Sequence, residues 1–375
     1  MAAMKPEVML AQLKDLPRLT RDQVEPIDRE VRRVLDALPS AALQRVFITG
    51  NGDSYYAALA CELAFEQLGT IAAEPLSAQH YLDYKAAFET AAAPSATLTI
   101  GVSASGGTEH VARSLARARE QGQATIAITG APESRVGAAA EQTIPVTIPD
   151  MGRSPGIRTY QASLLGLLLL AIRLGERRGT LSVREGDALR REIARLRDLL
   201  AATVAACHEP ARRAARLFKG EPLLLFLGAG PSYGAARFAA AKVVEASGLY
   251  ATGQELEEWW HVERFAHPDD MVVVLIAPPG RSHEAAVELA AGARSLGRRL
   301  LAVVQEGDEA ISRHAEIVFP VPGEVSEAFS PLVYHCFAGA FACYLAQELG
   351  RAPFQSDRPA FQAAVEGYYA GRGSR

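Results

Sequence analysis

Short apolar runs alternate with helical stretches along this chain. In the first half the runs are RVFITG (45–50), ATLTIGV (96–102) and ATIAITG (124–130). In the second half they are LLLFLG (223–228), DMVVVLIA (270–277) and RLLAVVQ (299–305). Each is followed by a loop and then by a stretch with helical spacing, such as VARSLARAREQG (111–122). Continuous apolar strands that alternate with helices predict parallel sheets covered by helices on both faces.

The pattern is written twice. The first run leads into G-N-G-D-S-Y and an Ala-rich helix, and the run at 223–228 leads into G-A-G-P-S-Y and another. The serines of the two turns, Ser54 and Ser232, stand 178 positions apart. A repeat of that length predicts two α/β domains rather than a solenoid. The expected boundaries are leading helices over 1–40, a first domain over 41–180, a connecting helix or helix pair over 181–215, a second domain over 216–350 and a C-terminal tail over 351–375. Pro17, Pro26 and Pro39 are expected to break the leading segment into one or two helices. The run Ala162–Ile172 is too short to span a bilayer and reads as a buried core helix.

Composition narrows the function classes. The net charge is −4, and 22% of residues are charged. That balance gives no electrostatic reason to expect nucleic acid or a membrane surface as partner. The four cysteines, Cys61, Cys207, Cys336 and Cys343, form no C-x-x-C pair. Neither a zinc site nor a disulfide framework is expected, and a reduced cytoplasmic setting fits. The first residues read as no signal peptide.

The candidate chemistry begins at SASGGTEH (103–110), where hydroxyls and a glycine pair lie between an apolar strand and a helix. A strand, a Gly/Ser loop and a helix N-terminus together form an anion site, because free N–H groups and the positive end of the helix dipole meet there. Ser54 heads a second such turn. If the two strands are neighbours, both loops face one crevice at the strand C-terminal ends. A phosphomonoester suits that crevice; the alternative is that the loops are only caps and turns. The counterpart in the second half, APPGRSHEA (277–285), has fewer hydroxyls, so the phosphate site is expected in the first half.

GNGDSYYAAL together with SASGGT resembles the sugar isomerase (SIS) domain family. The tandem copies resemble the isomerase half of glucosamine-6-phosphate synthase and stand-alone phosphosugar isomerases, deaminases and deglycases. The resemblance implies two flavodoxin-like domains, each with a five-stranded parallel sheet. It places the substrate phosphate on Ser54, Ser103, Ser105 and Thr108, with Gly52, Ala104, Ile157, Arg158 and Thr159 around the sugar. Ala104 stands where the synthase usually has glutamine. It assigns the catalytic base to Glu245 in AAAKVVEAS, with Lys242 one turn earlier, and sugar-ring opening to His261, 16 residues on. In the synthase that histidine comes from the neighbouring subunit, so a homodimer with shared sites is implied. Arg358 is the basic residue nearest the position of the synthase's C-terminal lysine.

The implied activity is isomerisation or deamination of a sugar 6-phosphate such as glucosamine-6-phosphate or fructosamine-6-phosphate, without metal or organic cofactor. The alternatives are a non-catalytic phosphosugar sensor and an isomerase subunit served by a separate amidotransferase. Residue by residue there are structural alternatives as well: a surface salt bridge for Lys242 and Glu245, a core histidine for His261, and a purely structural Arg158.

Overall fold

The computed structural model describes residues 3–38, 40–88 and 94–370. Ten strands form two five-stranded sheets. The first contains β1 (Arg45–Gly50), β2 (Ala72–Ser77), β3 (Thr97–Ser103), β4 (Ala124–Thr129) and β5 (Gln142–Pro145) in the order β2-β1-β3-β4-β5. The second contains β6 (Leu224–Gly228), β7 (Ala251–Glu255), β8 (Val272–Ala277), β9 (Arg299–Gln305) and β10 (Ile317–Val321) in the order β10-β9-β8-β6-β7. Read from its own first strand, the second sheet repeats the first. All pairings are parallel. Both faces of each sheet are covered, which is why β3 and β8 are buried at every position and read as unbroken apolar runs.

The leading segment is a single helix, α1 (Glu7–Asp36), which runs through Pro17 and Pro26. The expected breaks at those two prolines do not occur; Pro39 lies outside the described residues. An interior proline costs a helix about 3 kcal/mol in isolation. Here a stripe from Met9 to Leu35 is buried against later helices, and tertiary packing outweighs that cost. Other long helices include α2 (Asp53–Gln67), α3 (Glu109–Glu120), α4 (Arg158–Arg178), α5 (Val183–Phe218), α6 (Pro231–Ser247) and α7 (Cys336–Leu349). The expected core segment 162–172 lies within α4 and is buried throughout. A single helix, α5, connects the halves and begins with a capping box between Ser182 and Glu185. The stretch Glu327–Leu349 has the length and apolarity of a membrane-crossing segment, but its apolar part, 328–346, is buried inside the protein.

The two domains share one core, and α2 of the first crosses α6 of the second. The crossing is close because of Gly234. A Cβ there would lie 2.5 Å from the Ala60 nitrogen and 2.6 Å from the Tyr56 carbonyl oxygen. That contact brings the first turn of α2 beside the last turns of α6.

Candidate active site

β1 and β3 are hydrogen-bonded neighbours at the point where the strand order reverses, with Thr49 opposite Gly101. Their following loops therefore leave the sheet side by side, the place where open α/β sheets bind ligands. The first loop turns through Gly52 at φ +55° and ψ −129°, and its counterpart Gly230 adopts +50° and −127°. Only glycine takes up this conformation readily. The turn delivers Ser54, which is nearly buried, into the first turn of α2.

The second loop carries the remaining hydroxyls. Ser103 Oγ and Thr108 Oγ1 lie 3.0 Å apart, and Ser105 Oγ accepts from the Gly107 N–H at 3.2 Å. The Ala104 carbonyl accepts from the Gly130 N–H at 3.1 Å, which ties the loop to the end of β4. Gly106 has φ +67°, and a Cβ there would lie 2.0 Å from Ser134 Oγ. Thr108 begins α3 without capping it through its side chain. The structure thus gathers Ser103, Ser105 and Thr108 at one helix N-terminus, beside the turn that carries Ser54. In the second domain the equivalent loop is occupied from within. The Glu327 carboxylate accepts from the Arg281 N–H at 3.1 Å and from its guanidinium at 2.9 Å.

Across the α2–α6 crossing, Lys242 Nζ donates to Asp53 Oδ2 at 2.7 Å and also to Glu245 Oε2. Lys242 is fully buried, while both carboxylates are partly exposed. The ammonium lies 5.1 Å from the centroid of the Phe238 ring, which stacks on Tyr160 at 3.8 Å, with His335 edge-on to both rings. Burial works against the Lys242 charge, but Asp53 and Glu245 outweigh it and hold the lysine above its ordinary range. Burial is also the largest influence on Glu245. It pushes the carboxyl up, Lys242 pulls it down and Asp53 pushes it up again, leaving it raised. A carboxylate raised in this way is suited to accept a proton near neutral pH. Glu245 opens on a cleft of about 370 Å³ that Arg153 and the tail residues Phe354, Gln355 and Phe361 also line.

The other expected site residues divide. The loop before α4 reaches the site, since a Cβ on Gly156 would be 3.6 Å from Asp53 Oδ2 and 2.4 Å from Thr159 Oγ1. Ile157 is buried, and its N–H donates to Gln12 Oε1 of α1 at 3.0 Å, so its side chain is a support of this loop. Arg158 is a correction. Its guanidinium is 4% exposed, paired with Asp15 at 2.7 Å and donating to the Pro149 carbonyl at 2.6 Å, so it is not available to read a substrate group. Arg358 is exposed on the tail, bonds Gln355 and lines the neighbouring cleft with Ser247 and Arg351; it does not line the Glu245 cleft. His261 is 65% exposed at the end of a short helix (Leu256–His261), where its partner is Glu257 at 3.2 Å. The fold does not bring it to Lys242 and Glu245 within this chain. Asp53 was not among the expected residues. Its sequence signal is an acidic residue inside a turn otherwise made of glycine, amide and hydroxyl, next to Ser54.

The SIS domain family model matches residues 41–173 and 218–345. The chain is 30% identical to the glutamine–fructose-6-phosphate aminotransferase (isomerizing) of Gloeobacter violaceus, over 87% of this chain and 53% of that protein. It is 26% identical to the protein of the same name from Thermococcus kodakarensis, over 96% and 58%. It therefore spans a little over half the length of these relatives. In structure it is similar to the C-terminal domain of glucosamine-fructose-6-phosphate aminotransferase from Francisella tularensis. The TM-score is 0.80 at 16% identity, covering 92% of this chain and 97% of that one. Tagatose-6-phosphate ketose/aldose isomerase from Escherichia coli aligns with a TM-score of 0.73 at 15% identity, covering 93% and 95%. At such identities the structural likeness is one of fold. With two matched copies of the domain, each built on the same five-stranded parallel sheet, the chain belongs to the SIS domain family.

Proposed function

We propose that this protein catalyses isomerisation or deamination of a sugar 6-phosphate, with glucosamine-6-phosphate and fructosamine-6-phosphate as the leading substrates. The observation that carries the reading is Glu245. It is raised by burial, anchored to a buried lysine, and lines a cleft between α6, Arg153 and the C-terminal tail. Ser54, Ser103, Ser105 and Thr108 hold the phosphate through hydroxyls and the N-terminus of α3. Glu245 removes the proton from the carbon next to the carbonyl or imine. The electron pair moves into an enediol or enolamine as the carbonyl oxygen or imine nitrogen takes up a proton, and the carbon-bound proton then returns to the neighbouring carbon as the hydroxyl or amino group there gives one up. With oxygen at both carbons this interconverts aldose and ketose. With an amino group at one of them it gives an imine, which water hydrolyses to a carbonyl and a free amine.

Ring opening requires an acid or base, and among the described residues His261 does not line the Glu245 cleft of its own chain. His261 is exposed beside Val262 and Phe265, themselves 61% and 69% exposed. That arrangement supports a homodimer in which each chain's His261 serves the other's site. The four cysteines are all buried and free, which supports a reducing, cytoplasmic setting.

The test is proton exchange followed by NMR in deuterated water with glucosamine-6-phosphate, fructose-6-phosphate and fructosamine-6-phosphate. Incorporation of deuterium at C1 or C2 of one of them supports the reading. Tight binding without exchange on any of them would replace it with a phosphosugar sensor.

A further inference from the structure

Three ionisable groups meet at the α2–α6 crossing, and they come from both domains. Lys242 and Glu245 share a face of α6 one turn apart, while Asp53 enters from the first turn of α2. One ammonium therefore serves two carboxylates. The second oxygen of Asp53, Oδ1, is buried and has no hydrogen-bond partner among the described residues. A buried acceptor left unmatched costs free energy, and the cost here falls on the residue that ties the two domains' charges together. An isolated Lys–Glu pair would leave Glu245 a weak base held by a full counter-charge. Asp53 prevents that by taking part of the ammonium for itself.

We propose that Asp53 is a positioning residue for Glu245. By binding Lys242 across the domain boundary it divides the ammonium between two carboxylates and keeps Glu245 basic enough to move a carbon-bound proton. The proposal rests on the role of Glu245 given above and adds the residue that sets its strength.

The charged surroundings are few. Lys242 approaches Glu245 on α6 itself, Asp53 approaches from α2, and Arg153 lines the same cleft. The tail side chains lining that cleft carry no charge. Arg351 is turned away onto the Ser247 carbonyl at 2.8 Å. Removing the Asp53 charge takes a like charge from the neighbourhood of Glu245 and turns Lys242 wholly onto it. Both changes favour the ionised form, so Glu245 should titrate at lower pH and become a weaker base. The expected displacement is about one pH unit or more.

The experiment compares the full-length wild type with Asp53→Asn and Asp53→Glu. The Glu245 carboxyl is followed by NMR in protein labelled with ¹³C at the glutamate carboxyl and assigned with Glu245→Gln. The pH profile of deuterium exchange on glucosamine-6-phosphate is measured in parallel. Asp53→Asn should lower the Glu245 midpoint and the acid limb of exchange together by about one unit or more, and Asp53→Glu should restore both toward wild type. A folded Asp53→Asn protein with an unmoved Glu245 midpoint overturns the proposal. If Asp53→Asn does not fold, Asp53→Ser is read by the same criterion. A midpoint that moves in a protein unable to exchange any phosphosugar would sink the enzymatic reading while leaving the Asp53 coupling standing.

Discussion

Glu245→Gln separates a catalytic Glu245 from a merely structural one. The substitution keeps the size of the side chain and leaves an amide oxygen that can still accept from Lys242. Lys242 also keeps its bond to Asp53 at 2.7 Å, so no buried charge is stranded. What is lost is a group able to take a carbon-bound proton. Turnover should fall by about 10²–10⁴-fold. Sugar-phosphate affinity should stay near wild type, because the loops proposed to hold the phosphate, at Ser54 and 103–108, belong to the other domain. Stability gives an independent reading. The folded state raises the Glu245 carboxyl, so it favours the protonated form. Glu245 therefore weighs against folding once the pH rises above the unfolded value near 4.3 and through its raised folded value. At pH 7.5 the Gln variant should melt no lower than wild type. A structural, salt-bridging Glu245 predicts the reverse, a loss of up to about 1 kcal/mol with activity retained. Exchange NMR, titration calorimetry with glucosamine-6-phosphate and calorimetric melting at pH 7.5 measure the three quantities. A folded Glu245→Gln protein that exchanges deuterium at close to the wild-type rate refutes the reasoning.

The phosphate assignment predicts that Ser105→Ala and Thr108→Ala each weaken sugar-phosphate binding by about tenfold or more, since a hydrogen bond to a charged group is worth roughly 1.5–3 kcal/mol; unchanged affinity in the double variant would remove the phosphate from this loop. Shared sites predict complementation. Mixing Glu245→Gln chains with His261→Asn chains should restore part of the activity that each lacks alone, and no recovery in a verified mixed dimer would assign each site to one chain. A third prediction concerns acid. Burial depresses His335 to about 3, so the folded protein keeps this ring neutral while the unfolded chain protonates it below about 6.5. Between those values stability should fall as the pH falls, by up to about 1.4 kcal/mol per unit. His335→Met should flatten that part of the curve in urea titrations from pH 4 to 6.5, and an unchanged slope would count against it.

What the sequence made legible is what single elements encode. β1, β3, β6 and β8 were readable because strands covered on both faces leave no polar alternation to confuse them with anything else. The hydroxyl loop was readable because its strand, turn and helix are contiguous, and the Lys242–Glu245 pair because both residues lie one turn apart on α6. Proline, also a local signal, misled at Pro17 and Pro26, since its cost is set by the helix alone whereas α1 is held by α4 and α5. The buried charges around the candidate site are of another kind. Arg158, which the family resemblance places around the sugar, is instead paired with Asp15 of α1. Asp53 sits in a turn, and its partner is 189 positions away. No spacing rule links the two, because their meeting depends on how closely α2 can approach α6. That approach is set at Gly234, where a single Cβ would collide with the backbone of α2. A glycine with no chemistry of its own thus lets α2 come close to α6, where Asp53 meets Lys242. His261 follows the same logic one level up, since the role proposed for it depends on a second chain that its exposure in one chain does not reveal.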